Sequence, residues 1–409
     1  MRLSKSNCHR NLSLESIVET VLRSMSNVNK PQQTFIVALL TTLVVFQGKA
    51  TFRNMSRYSQ MSEKRFSRWY RRQFDFAQFN RDTLTLALPK NGRIAAIDAS
   101  FINKSGKKTE GLGWFYNGSV SQAQQGLEAS LLALIDLKLN TAFAYDVRQT
   151  IDQEDKTRIE VYAEQVVELT PQLLEQGIQY LVADAYYSKE KFITPVVKAK
   201  LKLIGKLRTD ADLLWLYEGE YSGVGRPKKY DGKVYFEKEL HRFEQVGSLQ
   251  EGLDIYSKTV YSKKFKCAIK VVMLRQTSDK QVSRALLYST DTELDAMTVI
   301  EYYKARFQIE FLFRDAKQHT GLTHCQSRKK EAIHTHLNAS LSALNLLKLE
   351  DQQLKGGNDE TVISITSWKR KKFNQHLMEK LFNKLGLSKS NKKVAQVYEQ
   401  LSDYGAIAV

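Results

Sequence analysis

Apolar and polar positions fall into three successive regimes along the chain. Over residues 1–90 the spacing is helical. Residues 12–25 place apolar side chains three and four apart, Asn29-Lys30-Pro31 interrupts them, and Pro31 suits the first turn of a second helix. Residues 35–46 are apolar nearly all round, which predicts a buried helix ended by Gly48. Two short helices joined across 59–62 follow, with Ser62 the expected N-cap of a helix over 63–72. From Asn91 the pattern turns to short apolar runs. Strands are predicted over 93–99, 127–136 and 139–147, the last two so close that antiparallel neighbours are expected, while the Gly-rich stretch 110–114 reads as a loop. A helix over 159–176, a strand over 180–184, a helix over 188–200 and a strand over 201–207 complete an α/β alternation with a mixed sheet.

The alternation then breaks. Strand-like runs at 234–236, 253–260, 267–274 and 285–289 predict a β-rich insertion, after which 290–317 and 337–349 return to helix. Residues 355–358 (Lys-Gly-Gly-Asn) read as a hinge, and a basic helical tail containing Lys369–Lys372 follows. The expected organisation is a helical basic region (1–90), a core in two parts (91–205 and 290–350), the insertion between them (206–289) and the helical basic tail (351–409).

Charge adds a partner to this outline. The 409 residues hold 62 Lys and Arg against 44 Asp and Glu, a net charge of +18. Residues 1–90 alone hold 15 against 5, so more than half the excess lies in under a quarter of the chain. The helix over 63–72 carries Arg65, Arg68 and Arg72, with Lys64 and Arg71, around Trp69 and Tyr70. Such a helix could lie against DNA phosphates, each cation replacing a condensed counterion, or be the solvated face of a helical bundle. Cys8, Cys267 and Cys325 are far apart and odd in number, which offers no disulfide framework and points to a reducing interior. The N-terminus has no apolar signal core, and the longest apolar stretch has 12 residues, short of the roughly 17–25 that cross a bilayer. No membrane partner is expected. No GxxxxGK[ST] occurs and the Gly-x-Gly pairs at 111–113 and 223–225 lack a third glycine, so no nucleotide cofactor is expected either. His319, His324, Cys325, His334 and His336 cluster without the paired spacing of a zinc site.

Two carboxylates, Asp98 and Asp184, stand at the ends of buried strands, the edge where open α/β sheets bind ligands; either alone could equally open a polar loop. Asp136 and Asp146 also end apolar runs and suit hairpin turns better. Tyr303, Arg306, Glu310 and Lys317 lie at offsets 0, 3, 7 and 14 on one predicted helix. At about 100° per residue they share an arc roughly 60° wide, extended by Arg314. Helix geometry alone leaves open whether this is a site or a salt-laced exposed face.

Tyr303-(2)-Arg306-(3)-Glu310-(6)-Lys317 resembles the YREK signature of the insertion-sequence-four family of bacterial DDE transposases. Ile97-Asp98 resembles the family's first-Asp strand, 182–188 (Val-Ala-Asp-Ala-Tyr-Tyr-Ser) its second, and 286–291 with 300–314 its third region. The strand order and hairpins are those of an RNase H-like core. The resemblance implies a catalytic, metal-binding triad of Asp98, Asp184 and Glu310 holding two Mg²⁺, with Mn²⁺ able to substitute. It implies that Tyr303, Arg306 and Lys317 hold a phosphate near the terminal nucleotide, Arg314 extending that stripe. The substrates would be double-stranded DNA, as element ends and target. Nicking, second-strand cleavage and strand transfer would follow, in a homodimer synapsing two ends in the bacterial cytoplasm, at the nucleoid. Some members stack a flipped base on a Trp before the strand matching 286–289; here Val282-Ser283-Arg284-Ala285 holds no aromatic, leaving Tyr288 or Trp215 for that task. A metal-dependent nuclease without strand transfer and a non-enzymatic DNA-binding regulator are the alternatives.

Overall fold

The computed structural model describes residues 14–88, 92–221, 223, 225–277, 282–354 and 364–406. Cys8, the start of the first helix at Leu12 and the hinge expected at 355–358 lie outside them. Five helices open the chain: α1 (Leu14–Ser24), α2 (Lys30–Val45), α3 (Phe52–Tyr58), α4 (Glu63–Trp69) and α5 (Phe76–Ala87). The Asn29 side chain caps α2, where Pro31 sits in the first turn, and Phe35, Leu39, Leu40 and Leu43 are buried on it. Ser62 caps α4 as expected, but the helix stops at Trp69 rather than at Arg72. Trp69 stacks on Phe35 with ring centres 5.6 Å apart, and Tyr70 is buried edge-on to Phe52 at 4.6 Å. Packing the half-buried Trp69 and the buried Tyr70 against these rings draws the chain inward and leaves Arg71 and Arg72 beyond the helix, exposed.

The sheet and its helices follow as β1 (Arg93–Asn103), β2 (Gly113–Asn117), β3 (Gln122–Asp136), β4 (Thr141–Gln149), α6 (Arg158–Glu175), β5 (Tyr180–Ala183), α7 (Glu190–Lys198) and β6 (Lys202–Leu207). Strands β7 (Leu213–Leu216), β8 (Tyr230–Lys233), β9 (Glu244–Gln250), β10 (Leu253–Ser262), β11 (Cys267–Thr277) and β12 (Val282–Ser289) come next. Helices α8 (Ala296–Ala305), α9 (Phe307–Asp315), α10 (Lys330–Leu354), α11 (Ile365–Leu385) and α12 (Lys392–Ser402) end the chain. All twelve strands belong to one sheet, ordered β2-β3-β1-β5-β6-β12-β11-β10-β7-β8, with β4 also on β3 and β9 also on β10. Strands β1, β5 and β6 run parallel; the other pairs are antiparallel. The strands between residues 213 and 289 therefore carry the core sheet onward through the β6–β12 pair. Strand β2 occupies part of the stretch expected to be loop. It pairs with Gln122–Gly126, a polar extension of β3 that an apolar-run criterion does not detect.

Each central strand is buried on both faces, which is why it reads as an unbroken apolar run. Ile94 and Ala96 of β1 enter one core with α2, α9 and α10, whereas Ala95 and Ile97 enter a second with α6 and α7. Among the described residues no helix is long and apolar enough to cross a membrane.

Strand β4 would be a bare edge beside α10, and the helix closes it with side chains. Asn345 accepts from Ala144 N (2.8 Å) and donates to Ala144 O (2.7 Å), while Asn338 accepts from Val147 N (3.2 Å) and donates to Val147 O (2.8 Å). Lys348 Nζ donates to Ala142 O at 2.9 Å. A bulge at Tyr145 shifts the strand by one residue, so that Ala144 and Val147 both present their backbone to the helix. Asn80 of α5 joins this network, donating to Tyr145 O and accepting from Ser342.

At the other end α11 docks on α2. The Lys369 ammonium is buried, donates to Leu43 O at 2.9 Å and lies 4.1 Å from the Phe46 ring centre. Burial pushes this amine down to about 7.

Replacing Asn345 by Leu orphans both groups of Ala144 and is expected to cost about 2–4 kcal/mol, read as a lower denaturant midpoint. A loss below about 0.5 kcal/mol would contradict the edge-closing role. For Lys369, between about 7 and its unfolded value the unfolded chain keeps a proton that the folded chain releases, so stability rises with pH across that window. Lys369→Met is expected to flatten this rise, measured as thermal midpoint against pH.

Candidate active site

The β1–β5 register pairs Ala95 with Leu181, Ala96 with Val182 and Ile97 with Ala183. The next residue on each strand is an aspartate, so Asp98 and Asp184 stand side by side where this parallel pair ends. Asp184 caps a turn of 3₁₀ helix, Ala185–Tyr187, its Oδ1 accepting from Tyr186 N at 2.8 Å. Asp98 Oδ1 accepts from Ala99 N at 2.8 Å. Burial pushes the Asp98 carboxyl up to about 7; the Ala99 amide pulls it down, Asp184 and Glu310 push it further up, and Arg306 opposes them.

The third carboxylate reaches this edge by a broken helix, not by the single straight one expected over 290–317. Residues 290–295 are loop and turn, with Asp295 capping α8. Arg306 is the joint between α8 and α9, where Arg306 N bonds back to Tyr303 O and Ile309 N to Arg306 O. A turn of π-helix, Ala316–Thr320, follows α9 and ends at Gly321, whose φ of 76° suits glycine. The uniform 100° arithmetic therefore does not describe the face, but the four side chains still converge. Arg306, only 6% exposed, donates from Nη2 to Glu310 Oε1 at 2.9 Å, and its guanidinium lies 5.7 Å from the Tyr303 ring centre. Its Nε is buried without a partner. Lys317 Nζ donates to Ser100 Oγ at 2.8 Å and its charge acts on Asp98. Ser100 has no motif to announce it; its one sequence signal is its place two residues beyond Asp98, on the same strand face.

Other predicted positions lie elsewhere or do structural work. Arg314 is exposed, pairs with Asp315 and covers the Phe311 ring. Arg65, Arg68 and Arg72 are exposed on and after α4. Asp136 caps its hairpin through Leu139 N and faces Arg93, and Asp146 pairs with Arg148. His324 accepts from Ala50 N, and His336 is buried against Gly321 O. Trp215 and Tyr288 correct the expectation of a base-stacking aromatic. Both are 1% exposed, Trp215 donating to Glu239 and Tyr288 meeting Ser188, so neither can take a DNA base.

The donors that a divalent cation would meet here are hard carboxylate oxygens, which suits Mg²⁺ or Mn²⁺. Burial first, and then two further carboxylates, raise the Asp98 carboxyl, a shift that a bound cation would oppose. As they stand, no three His, Cys, Asp or Glu among the described residues are gathered closely enough to hold an ion. Each carboxylate is engaged locally, Glu310 by Arg306 above all.

The mixed sheet thus places two aspartates where its β1–β5 pairing ends, with helices before and after it and cations brought beside those residues. Residues 89–346, more than half the chain, match the model of the transposase DDE domain, and the chain belongs to that family. No curated protein matches it. Membership makes it a transposase, a polynucleotidyl transferase or nuclease acting on DNA, in a family that works with divalent metal ions.

If these charges share one site, Arg306→Gln raises the Asp98 carboxyl above about 7 and Glu310→Gln lowers it. Carboxylate ¹³C titration in metal-free protein checks both directions, and an Asp98 value indifferent to either change would separate the groups.

Proposed function

We propose that the chain is a transposase of the insertion-sequence-four kind, with Asp98, Asp184 and Glu310 as its catalytic and metal-binding triad. The observation that carries this reading is the β1–β5 register, which sets two aspartates side by side where the parallel pairing stops, near a helix joint bearing Tyr303, Arg306 and Glu310. The strand order β4-β3-β1-β5-β6, antiparallel hairpins followed by parallel strands, supports an RNase H-like core. The strands from 213 to 289 would be its insertion, and residues 1–90 and 351–409 its DNA-binding region and tail.

Two Mg²⁺ ions, or Mn²⁺ in their place, would generate the nucleophile from water or a DNA 3′-hydroxyl and stabilise the leaving oxygen. The chain's own residues prepare for them. Asp98 Oδ1 accepts from the Ala99 amide, and the carboxyl, which burial pushes up to about 7, would be held in its charged form by the ions. Glu310 would help hold the ions once its pairing with Arg306 is released. The guanidinium so released, with Lys317 steadied by Ser100, grips a DNA phosphate through charge-assisted bonds, and the Tyr303 hydroxyl adds a donor. Arg65, Arg68 and Arg72 contact the backbone of the element's inverted repeats. Hydrolysis at the ends frees 3′-hydroxyls that then join to target DNA. With Trp215 and Tyr288 buried, nothing favours a second strand cut through a hairpin. Leu377, Leu381 and Leu385, spaced by four along α11 and each more than half exposed, support a homodimer that synapses two ends in the cytoplasm.

The test is cleavage of the DNA flanking its own gene by wild type and Glu310→Gln. Wild type is expected to cut with Mg²⁺, leaving 3′-hydroxyl ends that join to a target plasmid. Glu310→Gln and Asp98→Asn are expected to lose about a thousandfold or more in rate while still binding the ends. Equal cutting by both proteins refutes the triad. Cutting without joining makes the chain a nuclease, and binding without cutting a regulator.

A further inference from the structure

Outside the triad, cations gather where the chain leaving α4 comes near the start of α10. Arg71 lines two adjoining hollows: one of about 850 Å³ along α4, with Arg68 and Arg72, and one of about 530 Å³ with Lys329 and Lys330. A third, of about 830 Å³, shares Arg72 and Lys330. Arg328 is exposed beside them. Among the described residues Lys329 alone of these six cations has an ion-pair partner, although Glu63 and Glu331 also line the hollows. That partner is Glu110, in the stretch that the sequence offers only as a Gly-rich loop.

The loop is pinned so that this carboxylate is aimed into the trough. Glu110 N donates to Arg328 O (2.9 Å), and Gln149 Nε2 donates to Glu110 O (2.8 Å). Gly111, at φ 73°, leaves the Gln149 amide the space that a Cβ would take. The Glu110 carboxylate then accepts from Lys329 Nζ (2.7 Å) and from Lys330 N (2.8 Å), which together hold it below the usual carboxylate range. An acceptor oxygen pair bonded to an ammonium and a backbone amide, between unpaired guanidinium groups, has the chemistry of a bound phosphate. The trough is also continuous with the site in the chain: β1 runs from Asp98 into the Glu110 loop, and α9 leads from Glu310 through the π turn to residues 328–330.

We infer that this trough carries a run of phosphates of duplex DNA, and that in the free protein Glu110 occupies one phosphate position, which DNA must take from it. The inference rests on the DNA-binding reading above and adds a surface and an internal competitor to it. While Glu110 is in place, the Lys329 charge is neutralised from within and binds no counterion for DNA to release. Neutralising Glu110 returns that counterion and its contribution to affinity.

The test measures binding of a labelled random-sequence duplex to the full chain, without metal, across a salt series. Glu110→Gln, which keeps an acceptor oxygen, is expected to tighten binding roughly three- to tenfold and to steepen the log K against log salt slope by about one. Adding Lys329→Gln to it is expected to return both to near the wild-type values. Gln149→Ala loosens the loop without touching charge and is expected to change the slope little. A wild type that binds duplex while Glu110→Gln binds no tighter, at unchanged slope, overturns the inference and leaves the transposase reading standing. If Gln149→Ala tightens binding as much as Glu110→Gln does, loop release rather than charge is responsible, and the inference again fails. A wild type that binds no DNA at all removes both.

Discussion

The structure depends on closing one open sheet edge with the side chains of a helix. A β-strand whose outer N–H and C=O groups are buried without partners would cost more than its packing returns. Here Asn338 and Asn345 supply, seven residues apart on α10, the donor and acceptor pair that a neighbouring strand would have offered to Val147 and Ala144. Because Asn80 is tied to the same strand and the same helix, this contact also locks the N-terminal helices to the core. The helix so fixed carries Lys329 and Lys330 at its start and receives the chain from the π turn that positions Lys317. Edge closure and the placement of function are thus one arrangement.

A second constraint sets the chemistry. The strands β1 and β5 are apolar where they pair in parallel, and each carries an aspartate at the residue where that pairing stops, Asp98 within β1 and Asp184 just past β5. Burial above all, with two neighbouring carboxylates adding to it, pushes the Asp98 carboxyl up to about 7. The fold relieves this with cations from a single stretch of helix. It breaks that helix at Arg306 and again after Asp315, which lets a guanidinium, a carboxylate and an ammonium reach the strand ends from successive turns.

Excess positive charge is organised in the same spirit. The α4 cluster announced itself as a basic helix, but the packing of Trp69 and Tyr70 decides which side faces water and frees Arg71 and Arg72 from the helix. Residues 328–330, more than two hundred positions away, join that face only in three dimensions, and Glu110 reaches them from a third segment.

What the sequence determined by itself is whatever is written in local period and local chemistry. The buried helix α2 with its Pro31 turn, the Ser62 cap, the doubly buried strands and the place of Asp184 just past its strand were all legible, since each depends on neighbours within a few residues, whereas β1 runs on past Asp98 to Asn103. The spacing of Tyr303, Arg306, Glu310 and Lys317 was legible too, although not the joint and π turn that make it work, because helix arithmetic assumes one uniform helix. Tertiary structure alone decided the rest. It turned the polar stretch 122–126 into sheet, joined the later strands to β6, buried Trp215 and Tyr288, and assigned Asn338 and Asn345 to a strand edge 191 and 201 residues earlier. The physical reason is the same in each case: a hydrogen-bonding group or an aromatic ring takes its meaning from what it is buried against, and nothing in its own neighbourhood along the chain records that partner.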